Sequence, residues 1–259
     1  MKLFRLSSEV YRALFARRFF YKWNRWVLQC GLKGIGVGNF AFSTSGEHSF
    51  LKQTIGKAKE PVLFDVGANV GDWTKIALQI NSSSRIYAFE PNPLPFQQLL
   101  KITGIKAYNQ ACSDHEGKRV LYDRADQTSG AHASLDREVL ASLNKGVTET
   151  EVKVVTLDSI INAEKITHID LLKIDVEGYE YEVLKGGYKA LRSEMIQTIQ
   201  FEFNSMNIFR RRFLRDFQDL LPNYEFFRLL PKGKIPLRFY DPVYHEIFSY
   251  QNIVACRKH

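Results

Sequence analysis

A chain of 259 residues that is 45% hydrophobic has room for one catalytic-size domain with appendages and can bury a sizeable core. Its 16 Gly and 8 Pro exclude a low-complexity chain, and no stretch approaches the ~20 apolar residues needed to span a bilayer. The net charge of +8 is uneven: residues 1–33 carry eight basic side chains against Glu9 alone, residues 34–205 carry 18 basic and 22 acidic, and residues 206–259 carry 10 basic and 5 acidic. An acidic middle argues against a nucleic-acid enzyme, which concentrates basic surface around its site. Cys30, Cys112 and Cys256 are too few and too scattered for a disulfide framework or a cysteine-rich zinc site. Arg12, Arg17, Arg18 and Lys22 break up any apolar signal-peptide core, so a cytoplasmic protein is expected.

The first element is a basic amphipathic helix, capped at Ser7 or Ser8 and running over about residues 9–29. Phe15, Phe19, Trp23 and Trp26 share one face, and Arg18, Lys22 and Arg25 lie opposite. Such a face either packs against the rest of the chain or a second subunit, or rests on an anionic membrane surface. Packing is the commoner use of such a face, and peripheral contact with the inner face of the membrane is the alternative that its charges and aromatic residues allow. Gly34, Gly36 and Gly38 end the helical pattern.

From residue 60 onward, short apolar runs alternate with helical segments. Strands are expected at 62–66, 85–89, 107–111, 152–156, 169–174, 196–203, 224–230 and 247–256. Helices are expected at 73–80, 94–102, 157–163, 179–191 and 209–221. This alternation implies an α/β fold with a mostly parallel sheet covered by helices on both faces. Ligands in such sheets bind beyond the carboxyl ends of the strands, near the point where strand order reverses.

The first strand runs into Asp65-Val-Gly67-Ala-Asn69-Val-Gly71, a tight turn that departs from the G-x-G-x-x-G dinucleotide spacing. A carboxylate beside this turn suits the cationic groups of S-adenosylmethionine better than a pyrophosphate. Glu90 ends the second strand, where an acidic residue accepts hydrogen bonds from ribose hydroxyls. Asp175 ends the 169–174 strand, Glu177 starts the next helix, and Glu202 and Asn204 end the following strand. These groups can hold an acceptor hydroxyl, take its proton, or ligate an ion through oxygen. No metal site is assigned. His132 and His245 are weaker candidates, and Thr128–Ser134, within the polar 127–151 segment, could contribute to an acceptor lid.

The stretches VLFDVGANVGDWT (62–74), YAFEPNP (87–93), NQACSD (109–114), VVTLDSI (154–160), IDLLKIDVEGYEYEVLKGG (169–187) and YQNIVA (250–255) together resemble the FkbM family of methyltransferases. The resemblance implies a class I methyltransferase (Rossmann-like) fold with a seven-stranded sheet whose last strand is antiparallel. Residues 34–259 would then be the catalytic domain and residues 1–33 a basic aromatic arm outside the family pattern. The family also implies S-adenosylmethionine as donor and O-methylation of a sugar, glycan or natural-product hydroxyl.

On this resemblance Asp65, Gly67, Asn69, Gly71 and Glu90 are cofactor contacts, Ser113 and Asp114 lie near the adenine, and Asp175 sits closest to the transferred methyl. Asp175 and Glu202 are the candidate catalytic carboxylates. Thr156 and Asp158 belong to the motif without an evident role. Arg210, Arg211, Arg212, Arg215, Lys232, Lys234 and Arg238 could meet an anionic acceptor. The rival readings are a nicotinamide-dependent oxidoreductase and a non-catalytic adaptor that keeps the fold.

Overall fold

Strand β1 (Val62–Val66) is buried along its whole length, as a strand covered on both faces must be. The computed structural model that places it describes residues 2–124, 134–135 and 147–258. His132 and most of the 127–151 segment lie outside the described residues. Leading to β1 are helix α1 (Lys2–Phe15), a 3₁₀ turn (Arg18–Phe20), and helices α2 (Tyr21–Gly34), α3 (Phe42–Ser45) and α4 (Glu47–Ile55).

Beyond β1 the chain runs through α5 (Asp72–Ile80), β2 (Arg85–Phe89), α6 (Pro93–Leu99), β3 (Ile105–Tyr108), β4 (Ala111–Cys112), β5 (Gly117–Arg124), β6 (Val147–Val155) and α7 (Leu157–Ala163). It continues through β7 (Leu171–Ile174), α8 (Glu180–Gly186), α9 (Tyr188–Arg192), β8 (Thr198–Phe203), α10 (Met206–Phe209) and α11 (Leu214–Leu220). The last elements are β9 (Tyr224–Leu229), β10 (Lys234–Pro236), α12 (Pro242–His245) and β11 (Gln251–Arg257).

The main sheet has the order β10-β9-β11-β8-β7-β1-β2-β3. Its centre is parallel, and β11 is inserted antiparallel between β8 and β9. This is the class I methyltransferase order with one addition: β10 folds back on β9 as an eighth strand. Three residues are too few for periodicity to reveal, and Pro236 within them argues against a strand from sequence alone.

Side-chain alternation divides the core. Leu63, Ile86, Leu171 and Val254 face α4 and α5, while Phe64, Tyr87, Leu172 and Ile253 face the layer of α7, α8 and α11. A second sheet, β4-β6-β5, stands apart, with β5 and β6 forming an antiparallel hairpin that starts at Gly117↔Val154. The sequence pattern gave no sign of β5, whose GKRVLYDR is largely polar.

The single helix expected over residues 9–29 is two helices. Arg17 adopts an extended conformation (φ −131°, ψ 149°) between them. Asn24 Nδ2 donates to Phe15 O at 2.9 Å, which satisfies a carbonyl at the end of α1, and Tyr11 Oη donates to Asn24 Oδ1 at 2.7 Å. Phe15 and Phe20 meet edge to face across the corner. Among the described residues, no helix is long and apolar enough to cross a membrane.

Candidate active site

The turn after β1 is built by three left-handed residues: Gly67 (φ +82°), Asn69 (φ +49°) and Gly71 (φ +81°). Glycine is required at 67 for a second reason, since a Cβ there would sit 1.8 Å from Asp175 O. Gly71 turns its Cα toward Leu99 and Ile102 instead of the site. Gly67 N and Ala68 N both donate to Phe89 O, at 3.0 and 2.9 Å, which ties the turn to the end of β2.

Glu90 completes this tie. Its Oε2 accepts from Asn69 N at 2.9 Å and its Oε1 from Asn92 N at 2.7 Å. Burial pushes its carboxyl up to about 7, and the two backbone donors hold it from rising further.

Asp65 faces the protein interior. It is wholly buried, its Oδ2 accepts from Thr74 Oγ1 at 2.6 Å, and its Oδ1 lies 3.3 Å from Lys173 Nζ. The expectation that it meets the cationic groups of a cofactor is therefore corrected: a buried lysine already supplies the countercharge. The strand register requires this, because Asp65 pairs with Lys173, and Lys173 with Gln200, across the face that carries α4. The same Nζ lies 3.4 Å from Asp175 Oδ2. Burial lowers the proton affinity of this ammonium, but Asp65, Asp175 and Glu47 outweigh it and hold the lysine firmly protonated. Glu47, from α4, accepts from Gln200 Nε2 at 2.7 Å and from Ser45 Oγ at 3.0 Å, and burial raises its carboxyl.

A cleft opens at the carboxyl ends of β1, β2 and β7. One wall is Val66, Gly67, Asn69, Phe89, Glu90 and Pro91, and the other is Asp175, Val176, Glu177 and Tyr179. Gln110, Ala111, Cys112, Leu121 and Leu135 close the end near β4 and β5. Gln110 Oε1 is buried there with no hydrogen-bond partner. Ser134, beside Leu135, bridges to Tyr122, and its Oγ donates to Glu177 O at 3.1 Å.

Ser113 and Asp114, expected at the adenine end, do not line the cleft. Ser113 N donates to Val155 O at 2.9 Å, and Asp114 pairs with Lys185 and His115, which hold its carboxyl down at about 2 against its partial burial. The strand expected over 107–111 breaks into β3 and β4, and this turns Gln110 and Cys112 inward in their place.

The other carboxylates expected near the methyl group lie beyond Asp175. Asn204 Nδ2 donates to Glu202 Oε1, and burial, then Asp175 and Glu177, push the Glu202 carboxyl well above the usual range. Glu202 is not part of the cleft wall. Glu180 braces the loop from behind, its Oε1 accepting from Val176 N at 3.2 Å and Gly178 N at 3.0 Å. Burial pushes its carboxyl up to about 8.

Arg210 stacks 4.2 Å over Tyr179, Arg212 stacks 4.2 Å over Tyr181, and both pair with Glu182. Arg215 faces Asp219. Arg210 and Arg212 are thus engaged within the fold, while Arg215 stays exposed. His245 is buried, with Nδ1 against Asp241, away from the cleft. Among the described residues no group of three or more His, Cys, Asp or Glu could hold a metal ion.

A family model for the methyltransferase FkbM domain matches residues 65–226. The chain belongs to the FkbM methyltransferase domain family. The FkbM match begins at the β1 turn and ends in β9, so it contains the whole cleft. The hexuronic acid methyltransferase AglP of Haloferax volcanii is 29% identical over 154 residues, 57% of this chain and 59% of that protein. The 31-O-demethyl-FK506 methyltransferase FkbM of Streptomyces tacrolimicus is 33% identical over 168 residues, 54% and 64% of the two chains. The 2-O-methyltransferase NoeI of Sinorhizobium fredii is 25% identical over 191 residues, 67% and 76%. The aligned part thus spans about three fifths of the first two relatives.

Sequence reasoning missed Gln110, Cys112, Tyr179 and Lys173. Gln110 and Cys112 lay inside the NQACSD stretch, three residues and one residue before Ser113, and the break between β3 and β4 was the signal needed. Lys173 was visible only as an oddity inside an apolar strand.

Proposed function

We propose that the chain is an S-adenosyl-L-methionine-dependent methyltransferase acting on a hydroxyl of a sugar, glycan or natural product. The observation that carries this reading is the cleft at the switch point, with Glu90 and the unbonded Gln110 Oε1 on the nucleoside side and Asp175 on the other. The donor set fits such a ligand. Ribose hydroxyls donate to a carboxylate, and an adenine amine donates to an amide oxygen. The names of the relatives support the acceptor class, since one acts on a hexuronic acid and another is a 2-O-methyltransferase.

When bound, S-adenosylmethionine supplies a methyl group on a sulfonium, already a good leaving group. The chain's own work is alignment and proton handling. Gly67 and Asn69 shape the turn against which the nucleoside lies, Glu90 holds the ribose, and Gln110 and Cys112 bound the base. Asp65 acts through Lys173, keeping the turn and the end of β7 in register. Asp175 faces the cleft and accepts the proton of the acceptor hydroxyl as its oxygen attacks. Glu202, whose carboxyl burial raises, accepts from Asn204 Nδ2 behind Asp175 and off the cleft wall, so its part is to hold the end of β8 in place and not to meet the acceptor. Orienting acceptor and donor can lower the barrier by roughly 7–11 kcal/mol, so positioning outweighs the proton step.

The Asp175→Ala variant tests the assignment. Methyl transfer should fall by about 10²–10⁴, with donor affinity measured by titration calorimetry changing only several-fold. Full transfer with normal affinity would exclude Asp175 from the chemistry. Tighter binding of NAD than of S-adenosylmethionine would overturn the reaction itself.

A further inference from the structure

The two helices of residues 2–34 bury none of their described side chains. They hold each other through Tyr11, Phe15, Phe20 and Asn24, and leave their other apolar residues outside. Phe19 at the corner is 88% exposed, and Trp23 and Trp26 of α2 are 49% and 54% exposed. On α1, Leu6, Val10 and Leu14 form a second exposed stripe at helical spacing. So large an uncovered apolar surface marks a binding face.

Its charge selects among occupants. The arm carries eight basic residues against Glu9 alone. Two copies meeting arm to arm would bring these like charges together, whereas an anionic bilayer neutralises them. Exposed indole rings flanked by Arg and Lys are the chemistry of the headgroup boundary.

The attachment of the arm adds a third argument. Gly36 packs so closely on β9 that a Cβ would lie 2.2 Å from Leu229 O, and Gly38 N donates to Tyr250 O at 2.8 Å. Leu229 and Tyr250 flank the edge where β8 ends at Phe203, as the pairing of Gln251 with Phe203 shows. The arm is therefore rooted at the carboxyl edge of the sheet, on the acceptor side of Asp175.

We propose that residues 2–34 are a hairpin that docks on an anionic membrane surface and holds the acceptor end of the cleft beside it. The docking does not depend on the reaction, so its test stands apart from that of methyl transfer. Full-length protein is mixed with vesicles of phosphatidylcholine alone and of an equimolar mixture with phosphatidylglycerol, and followed by co-sedimentation and tryptophan emission. The chain has three tryptophans, and Trp73 is buried, so a blue shift reports Trp23 and Trp26.

Binding is expected to anionic vesicles at least about tenfold over neutral ones, to weaken with salt, and to fall by at least about tenfold in the F19S/W23S/W26S variant. These side chains are exposed, so the variant should keep its unfolding midpoint and donor affinity. Equal binding by variant and wild type, or no preference for the anionic vesicles, would overturn the proposal. So would a dimer that the variant dissolves in the absence of any vesicle binding, which would assign the face to a second copy.

Discussion

Lys173 shows how much of the site depends on one buried charge. Its ammonium stands 3.3 Å from Asp65 and 3.4 Å from Asp175, in a buried polar row of the sheet that Gln200 and Glu47 continue. Removing it leaves the buried Asp65 carboxyl without its cationic partner, with the Thr74 hydroxyl as its remaining contact. Breaking a buried pair in this way costs about 3–5 kcal/mol. Lys173→Met should lose that much in denaturant unfolding, and adding Asp65→Asn should recover a large part of it. A loss below about 1 kcal/mol would show that the pair is not the strut described here. The same residues mark the limit of sequence reading. Glu90 and Asp175 were legible because a carboxylate at a strand end has few other places to go. Asp65 looked equally available, since the residue that occupies it is 108 positions away and reveals itself only when β1 and β7 are in register.

At the scale of elements, the motif residues with no evident role prove to be caps. Thr156 Oγ1 accepts from Ser159 N at 3.1 Å at the start of α7. The Asp158 carboxylate accepts from Lys189 N and Ala190 N, at 2.9 and 3.0 Å, at the start of α9. A lost N-cap costs about 1 kcal/mol, so Thr156→Ala should lower the unfolding free energy by that amount and leave methyl transfer intact, since Thr156 does not line the cleft. Loss of activity in the folded variant would instead give Thr156 a part in the reaction. The strands and helices around the switch point were readable from apolar runs alone. Of the β5–β6 hairpin only the end of β6, expected at 152–156, was readable; β5 and the start of β6 are rich in charged residues and pair with each other away from the main core. The break in the arm was hidden too: Ala16 and Arg17 carry no breaker residue, and tertiary contacts of Asn24 and Phe20 impose the corner.

For the whole molecule, the raised carboxyls set the pH dependence of stability. Glu90 and Glu180 titrate at about 7 and about 8 when folded, above the ordinary value of 4.5. Between those limits the folded chain holds protons that the unfolded chain has released, so stability falls as pH rises from about 5 to 8. Asp114, held down at about 2, contributes in the opposite sense, but its contribution is lost only as the pH falls below the ordinary carboxylate range. Each pKa unit between the two states is worth about 1.4 kcal/mol. Glu180→Gln keeps an acceptor for Val176 N and Gly178 N and removes the ionisation. Denaturant midpoints at pH 5, 6.5 and 8 should therefore decline less steeply in this variant than in the wild type. A wild-type midpoint that climbs across this range would contradict the burial of these groups.

The contact between Gly67 and the Asp175 carbonyl makes the donor turn and the end of β7 a single rigid piece, with Lys173 as its rivet. Neither half can be altered without displacing the other. On the proposed reading, room to vary the acceptor therefore lies on the bank beyond Asp175, toward the end of β8 and the root of the arm. An engineer seeking new acceptors should randomise that bank and leave the riveted one alone.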